Sequence, residues 1–362
     1  MMTFGLEEEF ILVDPGSLEP VPEAGDVLHS LHDDSSTGLD GTKEFLASQV
    51  EHSSRVFSDL GEAMRELTEF RQRVASAARE RGLIVASVGL PFQTSAYPTL
   101  TPGERYNRVE HEVRSVVADH QVNGLHIHVG VPDREAGVQA LNRVRAWIPI
   151  LLALGGNSPF WRGRDTGFES WRTILLRRWV TGGCPPLFDD AADYDRRIRQ
   201  LVGVGGTIDV ETVAWNARLS EHFPTIEFRV FDAQLDAADS VFLAALARGL
   251  VATALDEGDA PFMSPDPELL DASLWHAARD GINDQLVDPW SGRLVPARWA
   301  VDGMIAHVSG RLAQTGDLDF VTATVDRLFT EGTGARRQRT AYRRGGIVGL
   351  GDLTEIFAVS RS

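Results

Sequence analysis

Period-two alternation of charged and apolar residues is the feature that most narrows what this chain can fold into. Successive side chains of a β-strand point to opposite faces, so residues i and i+2 share one. In Phe4-Gly5-Leu6-Glu7-Glu8-Glu9-Phe10, Glu7 and Glu9 share a face while Leu6 and Phe10 take the other. Leu125-His126-Ile127-His128-Val129 sets both histidines against three aliphatics, and Ile226-Glu227-Phe228-Arg229-Val230 does the same with Glu227 and Arg229. Gln49 and Glu51 share a face of a further segment. The pattern predicts a sheet with one packed face and one face that gathers Glu, His and Arg. A solvated polar face accounts for any one such strand. Four together, carrying metal-ligand types rather than the Lys and Thr usual at edges, point to a site. Clustered carboxylates repel, each unit of raised pKa costing ~1.4 kcal/mol, and a divalent cation removes that cost. Oxygen-rich ligation with one imidazole suits Mg²⁺ or Mn²⁺ better than zinc.

The rest of the chain reads as α+β. Residues 3–13 and 43–54 read as strands, and 55–81 as a helix whose stripe runs Val56, Leu60, Met64, Leu67, Phe70 and Val74 and stops at Gly82. Further strands are expected at 84–89, 124–131 and 225–231, and helices at 104–119, 136–154 and 236–256. Residues 155–173 read as irregular and about 266–332 as mostly helical. Strands parted by long helical excursions, without βαβ regularity, favour α+β over a doubly wound sheet. The stretch 257–265 reads as a loop within a single domain, 1–362.

Composition removes several chemistries. There are 52 acidic residues against 35 basic ones, a net charge of −17, which disfavours nucleic acid and anionic lipid as partners. Lys43 is the only lysine, so a Schiff-base enzyme would have one candidate, and Gly41-Thr42-Lys43-Glu44 is not a phosphate-binding Walker loop. Any nucleotide must be met by arginine and metal. Gly203-Val204-Gly205-Gly206 lacks the strand that a dinucleotide fingerprint requires and reads as a loop. The lone Cys184 cannot form an intrachain disulfide, the N-terminus shows no secretory leader, and the most apolar window, 147–154, is far shorter than the ~20 residues of a span. A cytoplasmic chain is expected. The run Arg336-Arg337-Gln338-Arg339 with Arg343-Arg344 reads equally as a phosphate contact or a solvated helix face.

Taken in order, these segments resemble glutamate–cysteine ligase family 2, in its carboxylate–amine ligase branch. The matching text is Thr3-Phe-Gly-Leu-Glu-Glu-Glu-Phe-Ile-Leu-Val-Asp-Pro15, Glu44-Phe-Leu-Ala-Ser-Gln-Val-Glu51 and Gly124-Leu-His-Ile-His-Val-Gly130. It continues with Asn157-Ser-Pro-Phe-Trp-Arg-Gly163, Asp165-Thr-Gly-Phe-Glu-Ser-Trp-Arg172, Pro224-Thr-Ile-Glu-Phe-Arg-Val-Phe-Asp232 and the arginine-rich tail. The likeness covers residues 3 to about 345.

The resemblance implies a glutamine-synthetase-like fold, a curved antiparallel sheet with helices on its convex face and the site on the concave one. It implies an ATP-dependent ligase in which the γ-carboxylate of glutamate is phosphorylated and an amine attacks the acyl phosphate. By motif, Glu7, Glu9, Glu44, Glu51, His126 and Glu227 would hold metal, Arg229 would meet the ATP phosphates, and Arg172 a carboxylate or phosphate. The substrates would be small molecules, and a homo-oligomer is allowed. Glu44 and Glu51 are seven apart, so in one regular strand they would face opposite ways; a bulge or turn must intervene, or Glu44 is not a ligand. Where relatives tend to have Trp-Asp-x-Arg, this chain has Trp215-Asn216-Ala217-Arg218, and Phe168-Glu169-Ser170-Trp171-Arg172 also departs from the pattern. The amine therefore need not be cysteine. Two other classes stay open: a catalytically silent nucleotide- or metal-binding relative, motivated by Asn216, and a metal-dependent hydrolase, motivated by His126-Ile127-His128.

Overall fold

The computed structural model describes residues 2–33, 41–258 and 260–358; Asp259, in the expected 257–265 loop, lies outside them. In chain order the elements are β1 (Phe4–Val13), α1 (Ala24–Asp33), β2 (Thr42–Lys43), β3 (Gln49–Ser53), α2 (Leu60–Arg79), β4 (Ile84–Ala86) and α3 (Glu104–Val113). Next come β5 (Gly124–Gly130), α4 (Arg134–Val144), α5 (Ile148–Leu154), the short β6 (Phe160–Trp161) and β7 (Arg164–Asp165), α6 (Trp171–Leu176) and α7 (Ala191–Gly203). Then follow β8 (Ala217–Leu219), β9 (Thr225–Asp232), α8 (Ala237–Glu257), α9 (Pro267–Asp280), β10 (Gln285–Asp288), β11 (Arg293–Pro296), α10 (Ala297–Thr315), α11 (Leu318–Glu331) and α12 (Gly334–Ala358). α12 is broken at Gly346, whose φ of 60° suits glycine.

One antiparallel sheet runs in the order β2-β3-β1-β5-β9-β8, with β4 also on β1. Its apolar face follows from the alternation: Phe4, Leu6, Leu125, Ile127, Val129, Ile226, Phe228 and Val230 are buried against α4, α5 and α8. The expected α+β architecture, with helices covering one face of an antiparallel sheet, is the one observed. α8 is apolar all round because it is central, packing on α2, α4, α10, α11 and β5. Among the described residues it is the one helix long and apolar enough to cross a membrane, but 78% of that stretch is buried in the protein, which marks it as a core helix. It, rather than the shorter window at 147–154, is the main apolar segment.

Three expectations need correction. Residues 43–54 are not one strand: β2 and β3 are arms of a hairpin, Thr42 opposite Glu51, with 44–48 as the turn. Val56 is 72% exposed and precedes the helix, because Asp59 caps α2 through its carboxylate to the Glu62 amide at 2.8 Å. The 266–332 region holds a β10–β11 hairpin between α9 and α10, which helical periodicity on both sides conceals.

Candidate active site

Register turns the separate strand faces into one surface. Glu51 on β3 pairs Glu9 on β1, Glu7 on β1 pairs His126 on β5, and His128 on β5 pairs Glu227 on β9, which pairs Arg218 on β8. A bulge refines the row: Leu125 pairs Phe231 and Ile127 pairs Phe228, so Arg229 and Val230 together oppose His126. Val230 and Phe231 then both enter the core while Arg229 stays on the polar face. The turn between β2 and β3 carries Glu44 back over the sheet, which resolves the seven-residue spacing: Glu44 and Glu51 reach the same place from different elements.

All eight residues singled out from the sequence, Glu7, Glu9, Glu44, Glu51, His126, Arg172, Glu227 and Arg229, line one cleft of about 330 Å³. Ligand atoms of Glu7, His126 and Glu227 lie within 4.8 Å of one another, a spacing at which one cation can touch all three. His126 Nδ1 is 3.1 Å from Glu7 Oε2, and His128 Nε2 is 3.3 Å from Glu7 Oε1. Glu9 accepts from the Gly124 amide at 2.7 Å. Glu227 is gripped by two arginines, Arg218 Nε at 2.8 Å and Arg229 through Nη1.

The carboxyls divide electrostatically. Burial raises Glu7 and Glu227, but hydrogen bonds from His126 and His128 outweigh it at Glu7, and the charges of Arg229 and Arg218 outweigh it at Glu227; both are held well below the ordinary range. Burial and the charge of Glu44 push Glu9 up to about 8. Burial raises Glu44, and burial with the charges of Glu44, Glu7 and Glu9 lifts Glu51 well above the usual value. Burial and Arg229 push His126 down to about 4, so it is a neutral imidazole able to ligate. A group of acids this crowded is short of positive charge, and its oxygen-rich donor set fits a hard divalent cation.

Arg172 is set from behind by residues of the other motifs. Asp232 accepts from the Asn157 amide at 2.8 Å, Ser158 Oγ at 2.7 Å and Ser170 Oγ at 2.9 Å. Ser170 caps α6 and Ser158 Oγ takes the Arg172 amide at 3.1 Å. The guanidinium then crosses β5 over Gly124, where a Cβ would sit 2.6 Å from Arg172 Nη2. Glycine is the residue that permits this approach.

Other expectations fall elsewhere. Asn216 does not line the cleft; it lies behind Arg229, accepting the Arg229 amide at 2.8 Å on its carbonyl, and its buried Oδ1 has no hydrogen-bond partner among the described residues. The arginine tail does not line the cleft either: Arg337 pairs with Asp236 and Asp239, and Arg339 with Asp165 and Glu169, which ties α12 to the fold. Gly203 ends α7. Sequence reasoning missed Arg218, although alternation in Ala217-Arg218-Leu219 singles it out. It also missed Arg105, Tyr106, His120 and Trp179, which come from helices and loops with no facing pattern.

The whole-chain comparisons agree with one another. The family model described as "Glutamate-cysteine ligase family 2(GCS2)" matches residues 3–355. A Frankia alni protein named "Putative glutamate--cysteine ligase 2-2" is 41% identical over 97% of this chain and 95% of its own. A Saccharopolyspora erythraea protein named "Putative glutamate--cysteine ligase 2-1" is 39% identical over 95% and 91%. Among solved structures, a glutamate–cysteine ligase from Francisella tularensis in complex with AMP superposes with a TM-score of 0.69 at 14% identity, over 99% of this chain and 88% of that one. A bifunctional glutathione synthetase from Pasteurella multocida gives the same TM-score and identity, and this chain spans 52% of its length. At that identity the two structures speak for the fold.

Proposed function

The chain belongs to glutamate–cysteine ligase family 2, a family of carbon–nitrogen ligases, and we propose that it joins the γ-carboxylate of glutamate to an amine with cleavage of ATP. The observation that carries this reading is the convergence of six acid or imidazole donors with Arg172 and Arg229 in one cleft. The AMP held by the Francisella tularensis ligase supports nucleotide use.

In this mechanism Glu7, His126 and Glu227 would hold a divalent cation, Mg²⁺ or Mn²⁺, and Glu9, Glu44 and Glu51 would offer further oxygens. When bound, such a cation would supply charge neutralisation at the transferring phosphoryl group. Arg229 presents its guanidinium to the phosphates, where a fork binds an oxygen pair that an ammonium cannot. Arg218 keeps Glu227 ionised and aligned. A γ-carboxylate oxygen attacks the terminal phosphorus and ADP leaves. The amine nitrogen then attacks the acyl carbon, phosphate departs with the C–O bond electrons, and the proton lost by the nitrogen passes to the departing phosphate. Positioning and electrostatics provide most of the acceleration.

We read the chain as a single catalytic domain, 1–362, acting on small molecules in the cytoplasm, with neither nucleic acid nor membrane as partner. The lone Cys184 and the acidic net charge support that reading. The test is ADP release, assayed with glutamate, a panel of amines including cysteine, and Mg²⁺. Release is expected only when both acid and amine are present. Turnover without ATP would indicate a hydrolase, and Mg-ATP binding with no ADP from any amine would indicate a silent relative.

A further inference from the structure

We propose that His120 is a fixed, neutral hydrogen-bond donor that, with Arg172, holds a carboxylate of the amino-acid substrate. The inference rests on the ligase reading above and names a substrate contact of the same cleft.

The tautomer follows from donor chemistry. An indole N–H can only donate, and Trp179 Nε1 donates to His120 Nδ1 at 3.2 Å. A neutral imidazole has one acceptor nitrogen, which Trp179 therefore occupies, so the ring proton sits on Nε2. His120 lines the cleft, and its Nε2 has no partner among the described residues. The ring cannot turn freely: it stands edge-on to Trp179, centroids 4.9 Å apart, and to Phe45 at 5.7 Å.

Its neighbours are anchored one by one. Asp119 accepts Arg162 Nη2 at 2.6 Å and also pairs with Arg178. Gln121 donates to Ser95 O at 2.9 Å and Ala118 O at 3.0 Å, and accepts the Ser95 amide at 3.1 Å. Asn123 Oδ1 takes Gln49 Nε2 at 2.8 Å.

Neutrality suits the place. Burial, with the charges of Arg172 and Arg229, pushes the imidazole down to about 3. A third cation beside two arginines would be repelled, whereas an uncharged N–H adds a directed bond. Six glutamates line the cleft, and they disfavour the second carboxylate of a substrate such as glutamate wherever it lies beside them. Arg172 and His120, which line the same cleft, give that group a cation and an uncharged donor. With its acceptor used by Trp179, His120 cannot serve as the base that deprotonates the amine.

The test pairs kinetics with a readout independent of turnover. Long-range ¹H–¹⁵N NMR of the full-length protein should show the Nε2–H tautomer of His120, and glutamate should shift that signal. His120→Phe should raise the KM for glutamate about tenfold, the value of roughly one hydrogen bond to a charged group, while the KM for ATP stays put. His120→Gln, which offers both a donor and an acceptor, should largely restore it. Trp179→Phe frees Nδ1 and should mix the tautomers, which keeps the question open to measurement if His120→Phe does not fold. An Nδ1–H tautomer, a signal unmoved by glutamate, or equal losses of kcat in His120→Phe and His120→Gln would overturn the proposal. A wild type that makes no ADP with any amine would overturn the ligase reading instead, and the NMR signal would still report the tautomer.

Discussion

Arg218 donates through Nε to Glu227 Oε2 at 2.8 Å from the neighbouring strand, so the buried carboxylate at the centre of the cleft is already paired before any ligand arrives. Arg229 grips the same carboxylate from its own strand. Glu227 thus has two roles, proposed ligand and structural counter-ion, and they fail together.

Glu227→Gln should lower turnover by a hundredfold or more, since an amide is a much weaker metal ligand. It should also cost about 3 kcal/mol of stability, because Arg218 and Arg229 lose a buried partner. Thermal unfolding and ADP release measured on one preparation separate the two effects. Wild-type turnover at ordinary Mg²⁺ would remove Glu227 from the ligand set.

The crowded acids predict a pH-dependent response to metal. Glu9 sits at about 8 when folded against an ordinary value of 4.5, so its contribution to stability is complete below 4.5 and is lost as pH rises toward 8. Between pH 6.5 and 8, His126, pushed down to about 4, is neutral in the folded state, and Glu7 and Glu227 are fully ionised. Over that window Glu9 alone should cost the metal-free protein up to about 1.4 kcal/mol per pH unit, and Glu51, whose carboxyl is also raised, adds to the slope. Excess Mg²⁺ should flatten the slope, and Glu9→Gln without metal should reduce it by the share that Glu9 carries. Melting curves in chelator and in Mg²⁺ at three pH values test this; parallel slopes would show that Glu9 does not feel the cation.

How far the sequence could be read depends on the range of the information. The face-sharing pairs Glu7/Glu9, His126/His128 and Glu227/Arg229 are legible because period two is a local rule. That Glu9 meets Glu51 and His128 meets Glu227 is a matter of register between distant segments; the family likeness implied only that Glu9, Glu51 and Glu227 share a site. Glu44 was ambiguous for the same reason: a two-residue β2 carries too little pattern to reveal the turn that follows it. His120 had no pattern at all, since a loop residue acquires its direction from Trp179, fifty-nine positions later.

Gly124→Ala tests the approach of Arg172. The new methyl would lie 2.6 Å from Arg172 Nη2 and 3.2 Å from His126 Nε2, and Arg172, 3% exposed, has little room to retreat. The variant should lose about 1–3 kcal/mol from overpacking and show a several-fold higher KM for the acid substrate. An unchanged KM with a lowered melting temperature would separate Arg172 from substrate binding.

Glu8 carries the last prediction. It lies between Glu7 and Glu9 yet faces the opposite way, into the core, where Arg71 of α2 meets it at 2.6 Å and 3.0 Å. Arg71 also donates to Leu235 O at 2.9 Å and Gln234 O at 3.0 Å, and Ser240 Oγ bonds Glu8 at 2.5 Å. Both charges are at most 2% exposed, so removing either leaves the other buried and unpaired. Arg71→Met or Glu8→Leu alone should cost about 3–5 kcal/mol, and the double replacement less than the sum. Because the pair is on the face away from the cleft, the folded fraction of each variant should keep its KM values. A denaturant-unfolding cycle with KM measured below the transition checks both halves. A large KM change with additive stabilities would mean that Glu8 belongs functionally to the acids beside it.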